Sequence, residues 1–241
     1  MNTGQLPLAM RWPPQQRFER YVPGENGATV ELLRQAAGSS VANWVFVSGA
    51  AASGKTHLLI AACAAASDVG RGAQYISLRG IRGDGAATDS SNAIRALGGS
   101  ALLAIDDVDA IAGDRDAEHA MFDLYNRCKV EKSTLVFAAG LPPAQIGLGL
   151  PDLVSRLSSC AQGVLKPLTD GERRDVVRAR ADARGIALDD SALDWLFTHT
   201  QRDLGSLTQL LERIDRASLA AKRRVTVPFL RELVGAEKTN G

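Results

Sequence analysis

The sequence predicts an α/β fold: a five-stranded parallel sheet flanked by helices, followed by a small all-α domain. Three observations carry this. Along the first two thirds of the chain, short and nearly continuous apolar runs alternate with helical stretches, the pattern of parallel strands buried on both faces. The first of those runs opens into Gly49-Ala50-Ala51-Ala52-Ser53-Gly54-Lys55-Thr56, which matches G-x-x-x-x-G-K-[ST]. Beyond Pro167 the alternation stops and helical spacing takes over.

Residues 1–16 read as a flexible tail. Gly4, Pro7, Pro13 and Pro14 interrupt them, and no periodicity is long enough for an element. The globular pattern begins at Phe18. Residues 44–47 (Trp-Val-Phe-Val) form a buried strand, and residues 56–66, rich in Leu and Ala, form a helix. Residues 73–78 are a second strand. Residues 80–91, rich in Gly, Asp and Ser, are a loop. Residues 101–105 are a third strand, ending at Asp106-Asp107. Met121, Leu124, Tyr125 and Cys128 fall at i, i+3, i+4 and i+7, one face of a helix. Residues 134–139 are a fourth strand, stopped by Pro142-Pro143, and residues 163–165 a fifth. In the last part Leu204, Leu207, Leu211 and Ile214 keep helical spacing, and residues 225–228 are a short extended piece. The expected domains are therefore 1–16, 17–166 and 167–241.

Composition narrows the function. In 241 residues, 28 basic against 27 acidic side chains leave a net charge of +1, which disfavours a strongly basic nucleic-acid binder. Aromatics are only 5%, too few for a base-stacking platform. No apolar run reaches the length of a membrane span, and the start lacks a secretory signal pattern. Cys63, Cys128 and Cys160 fit neither a disulfide framework nor a close-spaced zinc site, so a reducing cytoplasm is expected. His57, His119 and His199 are scattered, with no metal or triad spacing.

The phosphate-loop motif lies where its chemistry needs it, after a strand and before a helix. Gly49 and Gly54 let the backbone curl so that its N–H groups converge on phosphate oxygens, and the helix N-terminus adds positive dipole. Ser53 lies within that curl. Lys55 neutralises β and γ phosphates, and Thr56 holds Mg²⁺. Asp106-Asp107 closes an apolar strand, and in a parallel sheet ligands bind beyond such strand ends. One carboxylate, Asp106, holds Mg²⁺ through water; the other, Asp107, polarises an attacking water. An acidic loop capping the next helix is the plain alternative.

Several segments together resemble the DnaA-related branch of the AAA+ ATPases. They are Gly54-Lys55-Thr56-His57-Leu58-Leu59, Ile105-Asp106-Asp107 with Ile111-Ala112-Gly113 behind it, and Phe122-Asp123-Leu124-Tyr125-Asn126-Arg127. Further on come Leu148-Gly149-Leu150-Pro151-Asp152-Leu153, Ser155-Arg156-Leu157, and Leu165-Lys166-Pro167-Leu168. Ile214-Asp215-Arg216-Ala217-Ser218 and Pro228-Phe229 complete the set. The likeness spans nearly the whole chain and is strongest to the shorter regulatory members that inactivate DnaA. It implies an AAA+ domain followed by a helical lid.

The resemblance assigns further roles. Arg156 corresponds to the arginine finger that reaches nucleotide on a neighbouring subunit; a local ion pair is the plain alternative. Arg202 corresponds to the sensor arginine that couples the lid to phosphate. Residues 18–24 with Asn26 resemble the segment lining the adenine pocket, which brings Tyr21 to the nucleotide, and His57 packs beside the loop. Gln5-Leu6-Pro7-Leu8-Ala9-Met10 resembles a sliding-clamp-binding motif, with Gln5 a polar anchor and Leu6, Leu8 and Met10 on one face of an extended segment. Two positions depart from that motif: Pro7 takes a slot usually polar, and Met10 one usually Leu. Gly140 stands where relatives carry a polar residue that positions water, which implies weak intrinsic hydrolysis.

The implied cofactors are ADP or ATP with Mg²⁺. The implied partners are DnaA and the β sliding clamp of DNA polymerase III, with self-association a further expectation. The sequence ends soon after the lid, so direct sequence-specific DNA binding is not expected. The implied function is to dock on the clamp and stimulate hydrolysis of DnaA-bound ATP, preventing re-initiation. An independent ATPase acting as helicase loader or remodelling factor is the main alternative. A DNA-binding initiator and a small-molecule kinase are weaker ones.

Overall fold

The computed structural model describes residues 12–83, 90–200, 204–221 and 224–238. The chain divides into two compact units, Met1–Pro167 and Leu168–Gly241. In the first unit the elements run α1 (Gly27–Gly38), β1 (Trp44–Gly49), α2 (Lys55–Asp68), β2 (Ala73–Ser77), α3 (Leu78–Gly83), α4 (Ser90–Ala96) and β3 (Leu102–Asp106). They continue with α5 (Arg115–Glu131), β4 (Thr134–Ala139), α6 (Pro151–Ser158) and β5 (Ala161–Leu165).

The five strands form one parallel sheet in the order β2-β3-β4-β1-β5. Alternate side chains feed two separate cores. On one face Phe46, Leu103, Ile105, Leu135 and Phe137 pack with Met121, Leu124 and Tyr125 of α5. On the other Val45, Val47, Leu102, Ala104, Val136 and Ala138 pack with Leu33 of α1 and Leu58, Leu59 and Ala62 of α2. Register aligns the strand ends. Ser77 pairs with Asp106 and Gly49 with Leu165, so the loops after β1, β2 and β3 leave the same edge.

Several elements differ from the sequence reading. The second strand stops at Ser77, and Leu78 opens α3 instead of ending the strand. The predicted loop 80–91 is bounded by helix on both sides, α3 and α4, with residues 84–89 outside the described segments. Each of these helices anchors on one fully buried apolar side chain, Leu78 or Ile94, too sparse a pattern to read as periodicity. The chain also forms α1, which the sequence reading left unassigned; Val30, Leu33 and Ala37 mark its buried face. Trp12 lies against the α1–α2 core, and its indole N–H donates to Ser67 Oγ at 2.9 Å.

The second unit is helical throughout its regular elements: α7 (Asp170–Asp182), α8 (Asp190–His199), α9 (Leu204–Ala221) and α10 (Val227–Lys238). Residue 227 already belongs to α10, so the predicted extended piece is shorter than expected. Thr169 and Glu172 form a reciprocal cap at the start of α7, and Asp189 caps α8 through the Ala192 N–H at 2.7 Å. Leu193, Leu196, Leu207, Leu211, Ile214 and Leu230 build its core. Among the described residues, no helix is long and apolar enough to cross a membrane.

Candidate functional site

The turn between β1 and α2 has the shape of an anion cradle. Gly54 stands at the start of α2 with φ +93°, and Ala52 is left-handed at φ 59°. Left-handed residues in a tight turn direct successive amide N–H groups to one concave side. Two glycines are required here by space. A Cβ on Gly49 would lie 2.9 Å from the Leu165 carbonyl oxygen, and one on Gly54 2.6 Å from Tyr21 Cε2.

Ser53 Oγ is buried without a hydrogen-bond partner among the described residues. An orphaned buried hydroxyl costs free energy unless something else satisfies it, and a phosphate oxygen in the cradle is such a partner. Lys55 Nζ donates to the carbonyls of Gly49 at 2.7 Å and Ala50 at 2.9 Å. Burial lowers the Lys55 pKa, while the nearby Asp106, Asp107 and Asp109 carboxylates oppose that shift.

The acidic pair meets the loop across β3. Thr56 Oγ1 donates to Asp106 Oδ2 at 2.6 Å, and Tyr75 donates to the same oxygen at 3.2 Å. Asp106 is buried. Burial raises its pKa, with the Thr56 hydrogen bond acting in the opposite direction. Asp107 adopts φ 56° and ψ 45°, a left-handed turn that Asp tolerates better than most residues. Its carboxylate accepts from Ser77 Oγ at 2.8 Å and lies 3.7 Å from Arg79. Among the described residues no three His, Cys, Asp or Glu side chains converge on one point. Thr56 and Asp106 are hard oxygen donors that suit Mg²⁺, an ion that keeps waters and takes phosphate oxygens to complete its shell.

The N-terminal segment forms the side wall. Tyr21 donates to the Ser53 carbonyl at 3.2 Å, and Asn26 Nδ2 reaches Tyr21 Oη at 3.4 Å. Asn26 also pairs with both backbone groups of Lys166, at 2.7 and 3.1 Å. His57 engages the Arg17 carbonyl at 2.9 Å and sits 5.5 Å from the Tyr21 ring. Sequence reasoning did not anticipate the Asn26–Lys166 pair, because its partners lie far apart in the chain. Gly140 follows β4 on the same sheet edge, and a Cβ there would meet open space.

Arg156 lies elsewhere. It is half-buried on α6, with its guanidinium 5.9 Å from the Tyr125 ring. Tyr125 in turn packs 5.1 Å from Trp44, the first residue of β1. The cradle begins at Gly49, the last residue of that strand. At the usual rise per residue, about 16 Å of strand separates the two levels. Arg202 and the tail residues Gln5, Leu6, Leu8 and Met10 lie outside the described residues.

The close fit of Tyr21 over the loop makes one expected result specific. Gly54→Ala lowers the thermal midpoint, because it adds a left-handed strain of about 1–3 kcal/mol to the clash with Tyr21. Tyr21→Ala in the same chain restores only part of the loss, since it removes the clash and leaves the strain. Thermal unfolding of the two single variants and the double variant checks this; full restoration contradicts it.

Comparison with known proteins adds the family. A model described as the bacterial DnaA ATPase domain matches residues 13–164, and a model described as the Hda lid domain matches residues 170–234. Domain III of the Thermotoga maritima replication initiation protein DnaA superposes with a TM-score of 0.78 at 18% identity, covering 94% of this chain and 98% of that one. AMPPCP-bound DnaA from Aquifex aeolicus gives 0.66 at 22% identity, covering 88% and 69%. The Thermotoga maritima RuvB Holliday junction branch migration motor gives 0.63 at 14%, covering 91% and 73%. These structures share the fold, and the spread of their functions means that function must be argued from the site.

Proposed function

The chain belongs to the bacterial DnaA ATPase family, as a DnaA-related AAA+ protein with an Hda-like lid, and from that premise we propose that it regulates replication initiation in trans. It binds ADP or ATP with Mg²⁺, docks on the β sliding clamp of DNA polymerase III through its tail, and presents Arg156 to ATP held by DnaA. DnaA then hydrolyses its ATP and loses initiation competence.

The observation that carries this reading is the place of Arg156. Its half-buried side chain packs on Tyr125, which lies against Trp44 at the start of β1, whereas the chain's own cradle begins at the other end of that strand. A guanidinium there serves a nucleotide on another subunit better than its own. A planar cation on a γ-phosphate stabilises charge that develops in the transition state.

The chain's own site is built to hold nucleotide. Ser53 Oγ and the loop amides take phosphate oxygens, and Lys55 exchanges its carbonyl partners for the β and γ phosphates. Thr56 and Asp106 hold Mg²⁺, which when bound neutralises phosphate charge. Tyr21 and His57 form the wall beside it. Two features support weak turnover by the isolated chain. Gly140 offers no side chain to position water, and Asp107 is engaged by Ser77 and Arg79.

The intact loop and acidic pair also favour a second reading, an independent ATPase that remodels a replication protein. Steady-state turnover by the isolated chain separates the two: substantial hydrolysis without DnaA supports the second.

Clamp docking has its own test. Deleting residues 1–11 abolishes clamp binding and leaves ADP affinity within about twofold, because short motifs concentrate affinity in a few anchors. Leu8→Ala alone weakens it markedly. Surface plasmon resonance on immobilised clamp checks both; full clamp affinity in the truncated chain rules out tail docking.

A further inference from the structure

Glu118 is an acidic side chain that the nucleotide chemistry does not use, yet it is 2% exposed. Its carboxylate collects three backbone N–H groups from two loops. Oε1 accepts from Gly113 at 2.9 Å and from Gly149 at 3.0 Å; Oε2 accepts from Leu150 at 2.7 Å. A buried carboxylate without such donors is costly, and charge-assisted bonds of this kind are stronger than neutral ones. Its place in the first turns of α5 adds the favourable end of the helix dipole.

The two loops are the informative part. Gly113 belongs to the segment leaving β3, six residues beyond Asp107 and just past the 3-10 turn Val108–Ile111. Leu150 is the N-cap of α6, the helix that carries Arg156. That N-cap makes no side-chain cap of its own. The entry of α6 is therefore tied to the nucleotide edge of the sheet through one carboxylate. Leu148 and Leu150 pack on the adjoining core, so the loop is held by contacts on one side and by Glu118 on the other.

We propose that Glu118 is a positioning residue for trans activation, fixing the entry of α6 so that Arg156 is held in the orientation a neighbouring subunit's triphosphate requires. This rests on the trans reading of Arg156. Glu118 touches no nucleotide; it acts through the helix. A finger displaced by about 1 Å loses rate at the chemical step, up to about a hundredfold, without losing the contacts that dock the two proteins.

The experiment uses the full chain with DnaA-bound ATP and clamp-loaded DNA, measuring single-turnover hydrolysis against chain concentration. Glu118→Gln replaces one acceptor oxygen by an N–H₂ group that faces a backbone N–H. Glu118→Asp keeps the charge but draws it back by one methylene. The expected result is a maximal rate lowered about tenfold to a hundredfold by Gln and less by Asp. The concentration for half-maximal stimulation and the ADP affinity stay unchanged. Amide hydrogen exchange in the same variants is expected to rise at Gly149 and Leu150 and not across β1 and β4.

A wild-type maximal rate in Glu118→Gln overturns the proposal. So does loss of ADP affinity in step with the rate in both variants, which assigns Glu118 to general stability. Arg156→Ala run alongside separates the two levels. If Arg156→Ala stimulates normally, the trans reading itself fails; if it is inactive while Glu118→Gln is normal, only the positioning role fails.

Discussion

Arg156→Ala is expected to lose stimulation of DnaA-bound ATP hydrolysis by about 10³-fold or more, while ADP binding, folding and clamp docking persist. The separation follows from position. Arg156 makes its nearest aromatic contact with Tyr125, near the start of β1, and the chain's own cradle lies at the end of that strand. Removing the guanidinium forfeits a cation–π contact of about 0.5–1 kcal/mol, too little to unfold the unit. What it removes in trans is charge stabilisation that exists mainly in the transition state, so rate falls and docking does not. Arg156→Lys is expected to recover little, because a point charge on a flexible stem lacks the planar fork that fits phosphate. Single-turnover decay of DnaA-bound ATP measures all three chains. If Arg156→Ala instead loses its own ADP affinity, Arg156 belongs to the local site and the interface lies elsewhere.

Lys55→Ala is expected to cost about 2–3 kcal/mol of ADP affinity, about 30- to 150-fold. The Nζ group sits over the loop on the Gly49 and Ala50 carbonyls and is the cation of the cradle's own turn. Burial already lowers its pKa, so bringing phosphate beside it strengthens the charged form and couples lysine and ligand favourably. The variant is expected to fold, since the Ala50 carbonyl it frees is exposed to water and only the Gly49 carbonyl, at the buried end of β1, loses a partner. Isothermal titration calorimetry with ADP checks the value. Unchanged affinity in a folded Lys55→Ala chain contradicts the assignment of the loop as the phosphate site.

The parts of the fold that read clearly from sequence are those where local pattern and burial coincide. All six residues of β4 are buried, and the five after Thr134 appear as an unbroken apolar run. The phosphate loop and Asp106-Asp107 read clearly because strand, turn and chemistry are contiguous. The helices α3 and α4 did not, because each is short and anchors on a single buried apolar side chain among Gly, Arg and Ser. Tyr21 over Ser53, Asn26 on Lys166 and Glu118 on Leu150 are long-range hydrogen bonds. No local spacing encodes them. The engagement of Asp107 by Ser77 depends on the β2–β3 register, which only the assembled sheet sets.

Trans activation is tested most directly by loading DnaA with ATP and following a single turnover on clamp-loaded DNA, with and without this chain. The expected result is faster decay of DnaA-bound ATP that requires the chain, its residues 1–11 and Arg156. Unchanged decay, alongside rapid ATP turnover by the isolated chain, would contradict a regulatory role and leave an independent ATPase.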